Sequence, residues 1–132
     1  MVFALDNDLV VKIPKNDFGL YQNKIENYIY ENVENRFVKY LCPIINFEPE
    51  LLVAKRALPI NVDKEYLSSL RIFCGKNIVF YQDILDLCKK YYLSKDDIRA
   101  TSSWGILDGH KVLIDYGCPS RQGHKYYKKI IN

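Results

Sequence analysis

The stretch Trp104-Gly105-Ile106-Leu107-Asp108-Gly109-His110-Lys111-Val112-Leu113-Ile114-Asp115-Tyr116-Gly117 decides how this chain is read. Two apolar runs, Trp104 to Leu107 and Lys111 to Asp115, flank Asp108-Gly109. An Asp-Gly pair readily adopts the positive φ angles of a two-residue turn between twisted strands, so the stretch predicts a β-hairpin. An acidic residue, an aromatic and a glycine leave the hairpin as Asp115-Tyr116-Gly117.

Upstream, the remaining elements follow from period and punctuation. Val2 to Leu5 and Leu9 to Ile13 read as strands around Asp6-Asn7-Asp8, with Pro14 ending the second because it has no N–H to donate. Apolar residues at three- and four-residue spacing from Phe18 to Leu41 predict one helix, with Asp17 as its cap and Pro43 as its stop. Ile44 to Phe47 and Leu51 to Ala57 predict a second hairpin around Glu48-Pro49-Glu50, ended by Pro59. Helices are predicted at about Asp63 to Cys74, stopped by Gly75, and at about Ile78 to Tyr92, with Asn77 near its cap. A short turn from Ser94 to Arg99 has Ser94 and Asp97 at capping-box spacing. The tail after Gly117 has no clear period. The order β-β-α-β-β, α-α, β-hairpin is dominated by local pairs, which predicts an α+β fold rather than a βαβ array.

The 132 residues are expected to form a single domain, 1–132, long enough to bury a core without staples. Hydrophobic and charged contents of 48% and 27% are those of an ordinary globular protein. Most of the 11 tyrosines are read as capping the core with their hydroxyls in water. Cys42, Cys74, Cys88 and Cys118 have no metal-site or redox spacing, and Met1 leads into a strand pattern rather than a signal peptide. The expectation is therefore reduced thiols and a cytoplasmic location. No apolar run reaches the ~20 residues that a membrane span needs. His110, His124 and Cys118 lack metal-site spacing, and no nucleophile elbow, zinc-protease helix or dinucleotide fingerprint occurs. The net charge of +3 is unevenly placed. From Cys118 onward Arg121, Lys125, Lys128 and Lys129 add four positive charges and no acid opposes them, so the other residues together carry one negative charge.

Three anchors, in this order and spacing, resemble the protein-kinase-like superfamily, and most of all the small kinase-like proteins of phages and other mobile elements. They are Lys12 on the strand Leu9-Val10-Val11-Lys12-Ile13, Glu26 on the following helix, and Asp115-Tyr116-Gly117 after the hairpin. The resemblance spans about Val2 to Gly117. It implies a minimal kinase-like fold: an N-lobe-like sheet and helix over 1–60, a reduced C-lobe over 61–117, and a basic tail over 118–132. It also implies that Lys12 pairs with Glu26 and faces nucleotide phosphates, and that Asp115 would hold Mg²⁺ if Mg-ATP binds.

The chain departs from that family where catalysis would sit. No glycine-rich loop precedes the Lys12 strand, where the turn is Asp6-Asn7-Asp8. The catalytic Asp place holds Ile98 and the Asn place holds Ser103, with Asp97 one residue out of register. Only 15 residues follow Gly117, so a substrate-binding helical lobe is not expected. The resemblance thus implies no catalytic residue and no obligatory cofactor. It points to a non-catalytic, pseudokinase-type module that binds a host protein or ribonucleoprotein, for instance as a defence-system inhibitor such as an anti-CRISPR. Two alternatives stand beside it. One is a Mg-nucleotide-binding or weak phosphotransfer protein using Lys12, Glu26 and Asp115, with Asp97 as base. The other is a nucleic-acid binder acting through Arg121, His124, Lys125, Tyr126, Tyr127, Lys128 and Lys129, a tail that is also the candidate partner-binding surface.

Overall fold

Turn chemistry and helix caps account for most element boundaries in the computed structural model, which describes residues 2–60 and 74–131. Strands β1 (Val2–Ala4) and β2 (Leu9–Lys12) pair antiparallel, and the Asp6 carboxylate accepts the Asp8 and Leu9 N–H groups in the turn between them. Strands β3 (Ile44–Glu48) and β4 (Leu51–Lys55) pair across Pro49-Glu50, with Glu48 opposite Leu51. Because β2 also pairs with β4, the first sheet has the order β1-β2-β4-β3 and is antiparallel throughout.

The helix predicted from Phe18 to Leu41 is broken in two. Helix α1 spans Asp17–Asn32 and is capped by the Asn16 side chain, which accepts the Gly19 N–H, rather than by Asp17. The chain turns extended at Val33, and α2 spans Asn35–Val38. The break has a tertiary cause. The Glu34 N–H donates to the Tyr91 hydroxyl at 2.9 Å, and its carboxylate meets Lys90 at 2.5 Å and Arg36 at 3.1 Å. Arg36 reaches on to Asp83 and Asp86. A straight helix over those 24 residues would run about 36 Å and carry Phe37 past the core; after the break Phe37, Tyr40 and Leu41 are buried in it.

The second sheet holds β5 (Leu58–Pro59), β6 (Trp104–Leu107) and β7 (His110–Leu113) in the order β5-β6-β7, again antiparallel. Asp108 and Gly109 both have positive φ, 51° and 80°, in the two-residue turn that the dipeptide predicts. Strand β7 ends at Leu113, so Asp115 lies beyond the ladder rather than in it. The strand predicted over Leu51 to Ala57 ends at Lys55, and Pro59 belongs instead to the edge strand β5, opposite Gly105, where a proline is tolerated. A parallel bridge between Leu41 and Leu113, with Cys42 N–H donating to Leu113 O and Leu113 N–H to Tyr40 O, ties the helix segment to this sheet.

Helix α3 (Ile78–Lys90) is capped by Asn77, whose side chain accepts the Phe80 N–H. Helix α4 (Lys95–Arg99) starts after Ser94, but that side chain makes no cap hydrogen bond, so the predicted capping box does not form. A 3₁₀ turn, Thr101–Ser103, leads into β6. The tail that shows no period in the sequence is helical: α5 spans Arg121–Ile130, and the Ser120 hydroxyl accepts the Gly123 N–H. The helix predicted from Asp63 to Cys74 lies outside the described residues except for Cys74, which is buried. Among the described residues the protein is thus α+β, with two antiparallel sheets and five α-helices. Its core gathers Ile25, Ile29, Phe37, Ile84, Leu87, Trp104, Leu113, Tyr116 and Tyr127. No described helix is long and apolar enough to cross a membrane.

Candidate functional site

Strand alternation aims Lys12 at α1, and helical period places Glu26 between the fully buried Ile25 and Ile29. The two side chains meet. Lys12 Nζ donates to Glu26 Oε2 at 2.8 Å, and the side chains are 16% and 4% exposed. The segment after β7 closes the arrangement. Lys12 Nζ also donates to Ile114 O at 2.6 Å, and Glu26 Oε1 accepts the Tyr116 N–H at 2.9 Å. Asn23 donates to Lys12 O at 3.3 Å, and the Tyr116 hydroxyl donates to Cys42 O at 3.0 Å. Gly117 is required by close approach, since a Cβ there would lie 2.3 Å from Gln22 O on α1.

The pair fronts a cavity of about 440 Å³ between the end of β2, the first turns of α1 and the 114–117 segment. Asp115 lies at its lip and is exposed, and its negative charge acts on Lys12 and Glu26. Lys15, Asn16 and Ser102 add polar groups to the wall, which sequence reasoning did not single out. The signal for the first two was their place between Pro14 and the helix start, where Asn16 caps α1.

Burial pulls the Lys12 ammonium down, yet the charges of Glu26 and Asp115 and the hydrogen bond to Glu26 outweigh it and hold the ammonium above the usual lysine range. Burial pushes the Glu26 carboxyl up, against the pull of Lys12 and of the Tyr116 N–H. The first direction favours the ionised pair and the second opposes it. The 2.8 Å contact, with both carboxylate oxygens accepting hydrogen bonds, supports the ionised pair.

The positions that would carry catalysis lie elsewhere. Ile98 is buried, and its carbonyl accepts the Trp104 indole N–H at 2.6 Å. Ser103 is buried, and its carbonyl accepts the Ile114 N–H at 2.8 Å. Asp97 is exposed on α4 and its charge reaches Cys118, whose sulfur accepts a hydrogen bond from Gln22 at 2.9 Å. His110 sits beside the hairpin turn, while His124 stacks on Tyr21 with centroids 6.1 Å apart. Among the described residues no group of three or more His, Cys, Asp or Glu side chains gathers as a metal site.

The tail residues divide between surface and core. Arg121, Lys125, Tyr126, Lys128 and Lys129 are exposed on α5 and His124 is half-buried. Tyr127 is fully buried, with its hydroxyl donating to Tyr91 O at 2.6 Å, so it cannot belong to a contact surface. The sequence offered no apolar period to find this helix because Gly123 and Tyr127 are its buried residues. The recurring cations and the Ser120 cap were the available signals.

Burial raises three thiols: Cys42 and Cys88 to about 11, and Cys118 to about 12 with further help from Asp115, Asp97 and Glu26. An unfolded thiol titrates near ~8.5, so between that pH and ~11 the unfolded chain loses protons that the folded chain keeps. This contribution to stability is present below pH ~8.5 and is lost as pH rises, so melting temperature should fall from pH 8.5 to 11. At pH 8 the native Cys42 and Cys88 should react with a thiol reagent about 10²-fold more slowly than in the urea-unfolded chain. Equal rates in the two states would refute the assignment.

No protein-family model, curated protein or solved structure matches this chain.

Proposed function

We propose that the protein is a non-catalytic binding module on a minimal kinase-like scaffold, acting by binding another macromolecule. The observation that carries the reading is that the two catalytic places hold the buried Ile98 and Ser103, while the Lys12–Glu26 pair, which a nucleotide site would also need, is tied into the fold. Lys12 donates to Glu26 and to Ile114 O, and Glu26 accepts from the Tyr116 backbone. The charges that would meet a nucleotide in a kinase thereby join β2, α1 and the post-hairpin segment to one another. Ile98, in the place of the proton acceptor, is an apolar core residue. In a phage or mobile element such a module would bind a host protein or ribonucleoprotein, an inhibitor of a defence system being one form of that role.

A Mg-nucleotide site is favoured by one observation, the gathering of Lys12, Glu26 and Asp115 around a single cavity. The donors would give Mg-nucleotide a single carboxylate. Mg²⁺ is usually held by one or two carboxylates together with the phosphates. Here Asp115 is the carboxylate at the lip, Glu26 is committed to Lys12 and the Tyr116 N–H, and Ser103 is buried.

Thermal melting with and without millimolar Mg-ATP separates the two. A ligand at ~100 times its dissociation constant adds about 2.7 kcal/mol, a rise on the order of 10 °C for a chain of this size. No rise is expected for the wild type. A Mg²⁺-dependent rise that disappears in Asp115→Asn would overturn the proposal in favour of the nucleotide site.

A further inference from the structure

Helix α5 presents a row of cations whose geometry is as informative as its charge. At 3.6 residues per turn, Arg121, Lys125, Lys128 and Lys129 fall within an arc of about 100° and span about 12 Å of helix. All four are exposed, and the opposite side holds the buried Gly123 and Tyr127. No acidic residue occurs in the helix, and among the described residues no carboxylate pairs with Arg121, Lys125 or Lys129. The helix that carries the row is anchored to the rest of the fold. Tyr127 anchors the helix to Tyr91 O, the Ser120 N–H donates to Tyr92 O at 2.7 Å, and the Tyr21 hydroxyl reaches His124 O.

We infer that this face of α5 binds the phosphate backbone of duplex nucleic acid, without reading sequence. A duplex carries one negative charge per ~1.7 Å of axis, so about 12 Å of it offers roughly seven phosphates to the four cations. Charge complementarity selects a polyanion, and two features select the duplex among polyanions. A membrane-surface helix inserts an apolar face, and here that face is occupied by the core. Single-strand binding relies on open aromatic platforms, and Tyr126 is already engaged, with ring centroids 4.9 Å from Tyr92 and 5.1 Å from Tyr127. The face lies on a different element from the Lys12 cavity, so the Mg-ATP experiment and this one fail separately.

The test is fluorescence anisotropy of the full chain with a labelled, mixed-sequence 20-base-pair DNA duplex at 50 to 200 mM KCl. Four phosphate contacts predict a log–log salt slope of about −3.6, a loss of about 10²-fold in affinity over that range. The double variant Lys125→Gln, Lys129→Gln changes exposed side chains only and should melt like wild type, while its slope falls in magnitude by about 1.8. Absence of binding at 50 mM KCl overturns the inference, as does a slope that the two substitutions leave unchanged. Competition by poly-glutamate as effective as by unlabelled duplex would assign the face to an acidic protein instead. Tighter binding of the single strand than of the duplex would overturn the choice of duplex.

Discussion

Glu26→Ala is expected to remove about 3–5 kcal/mol of folding stability, because it strands a buried ammonium without its partner. The Lys12 side chain is only 16% exposed, and after the substitution the acceptor left to it is Ile114 O. The Tyr116 N–H, buried with its residue, loses its acceptor too. Urea denaturation reads the loss directly as a lower midpoint at unchanged slope. Replacing both charges, as in Lys12→Met with Glu26→Met, removes the stranded charge and should recover at least half of the loss. A single variant within 1 kcal/mol of wild type would mean that the pair is not part of the packed interior. A double variant no more stable than Glu26→Ala would assign the loss to packing around α1 and not to charge.

Tyr127→Ala should destabilise by a similar amount, about 3–5 kcal/mol, as expected for emptying a fully buried aromatic site. The ring meets Tyr28 edge-on with centroids 5.9 Å apart, and the hydroxyl holds the Tyr91 carbonyl at the end of α3. Tyr127→Phe keeps the ring and should cost about 1 kcal/mol for the lost hydrogen bond. Tyr126→Ala, one residue earlier and 39% exposed, should cost about 1 kcal/mol or less. Equal effects at 126 and 127 in thermal melting would mean that α5 does not dock as described. Truncation at residue 117 should unfold the chain for the same reason, since it removes a core residue and not a loose tail.

Much of the fold was legible because its turns are made by local chemistry. Asp108-Gly109 accounts for its own hairpin through the φ values those residues tolerate. Asn77 caps α3 with a side chain three residues from the N–H it accepts. Glu48-Pro49-Glu50 sets the β3–β4 register within a few residues. In the candidate site, the meeting of Lys12 and Glu26 was implied by a family resemblance, not by period or spacing. The polar wall of Lys15, Asn16 and Ser102 was not anticipated, because Ser102 comes from a segment far along the chain.

The sequence by itself therefore determined the α+β class, the three hairpin turns and the cap of α3, each a matter of backbone preference over a handful of residues. Tertiary structure decided the rest. Helix α1 stops at Val33 because Lys90 and Tyr91, more than fifty residues away, take up Glu34. Pro59 enters a strand because the edge of β6 lies beside it. Tyr126 and Tyr127 are identical neighbours in the sequence, and one became surface and the other core because a helix turns 100° between them. Burial and long-range contact are properties of what the folded chain brings close, and no local preference encodes that distance.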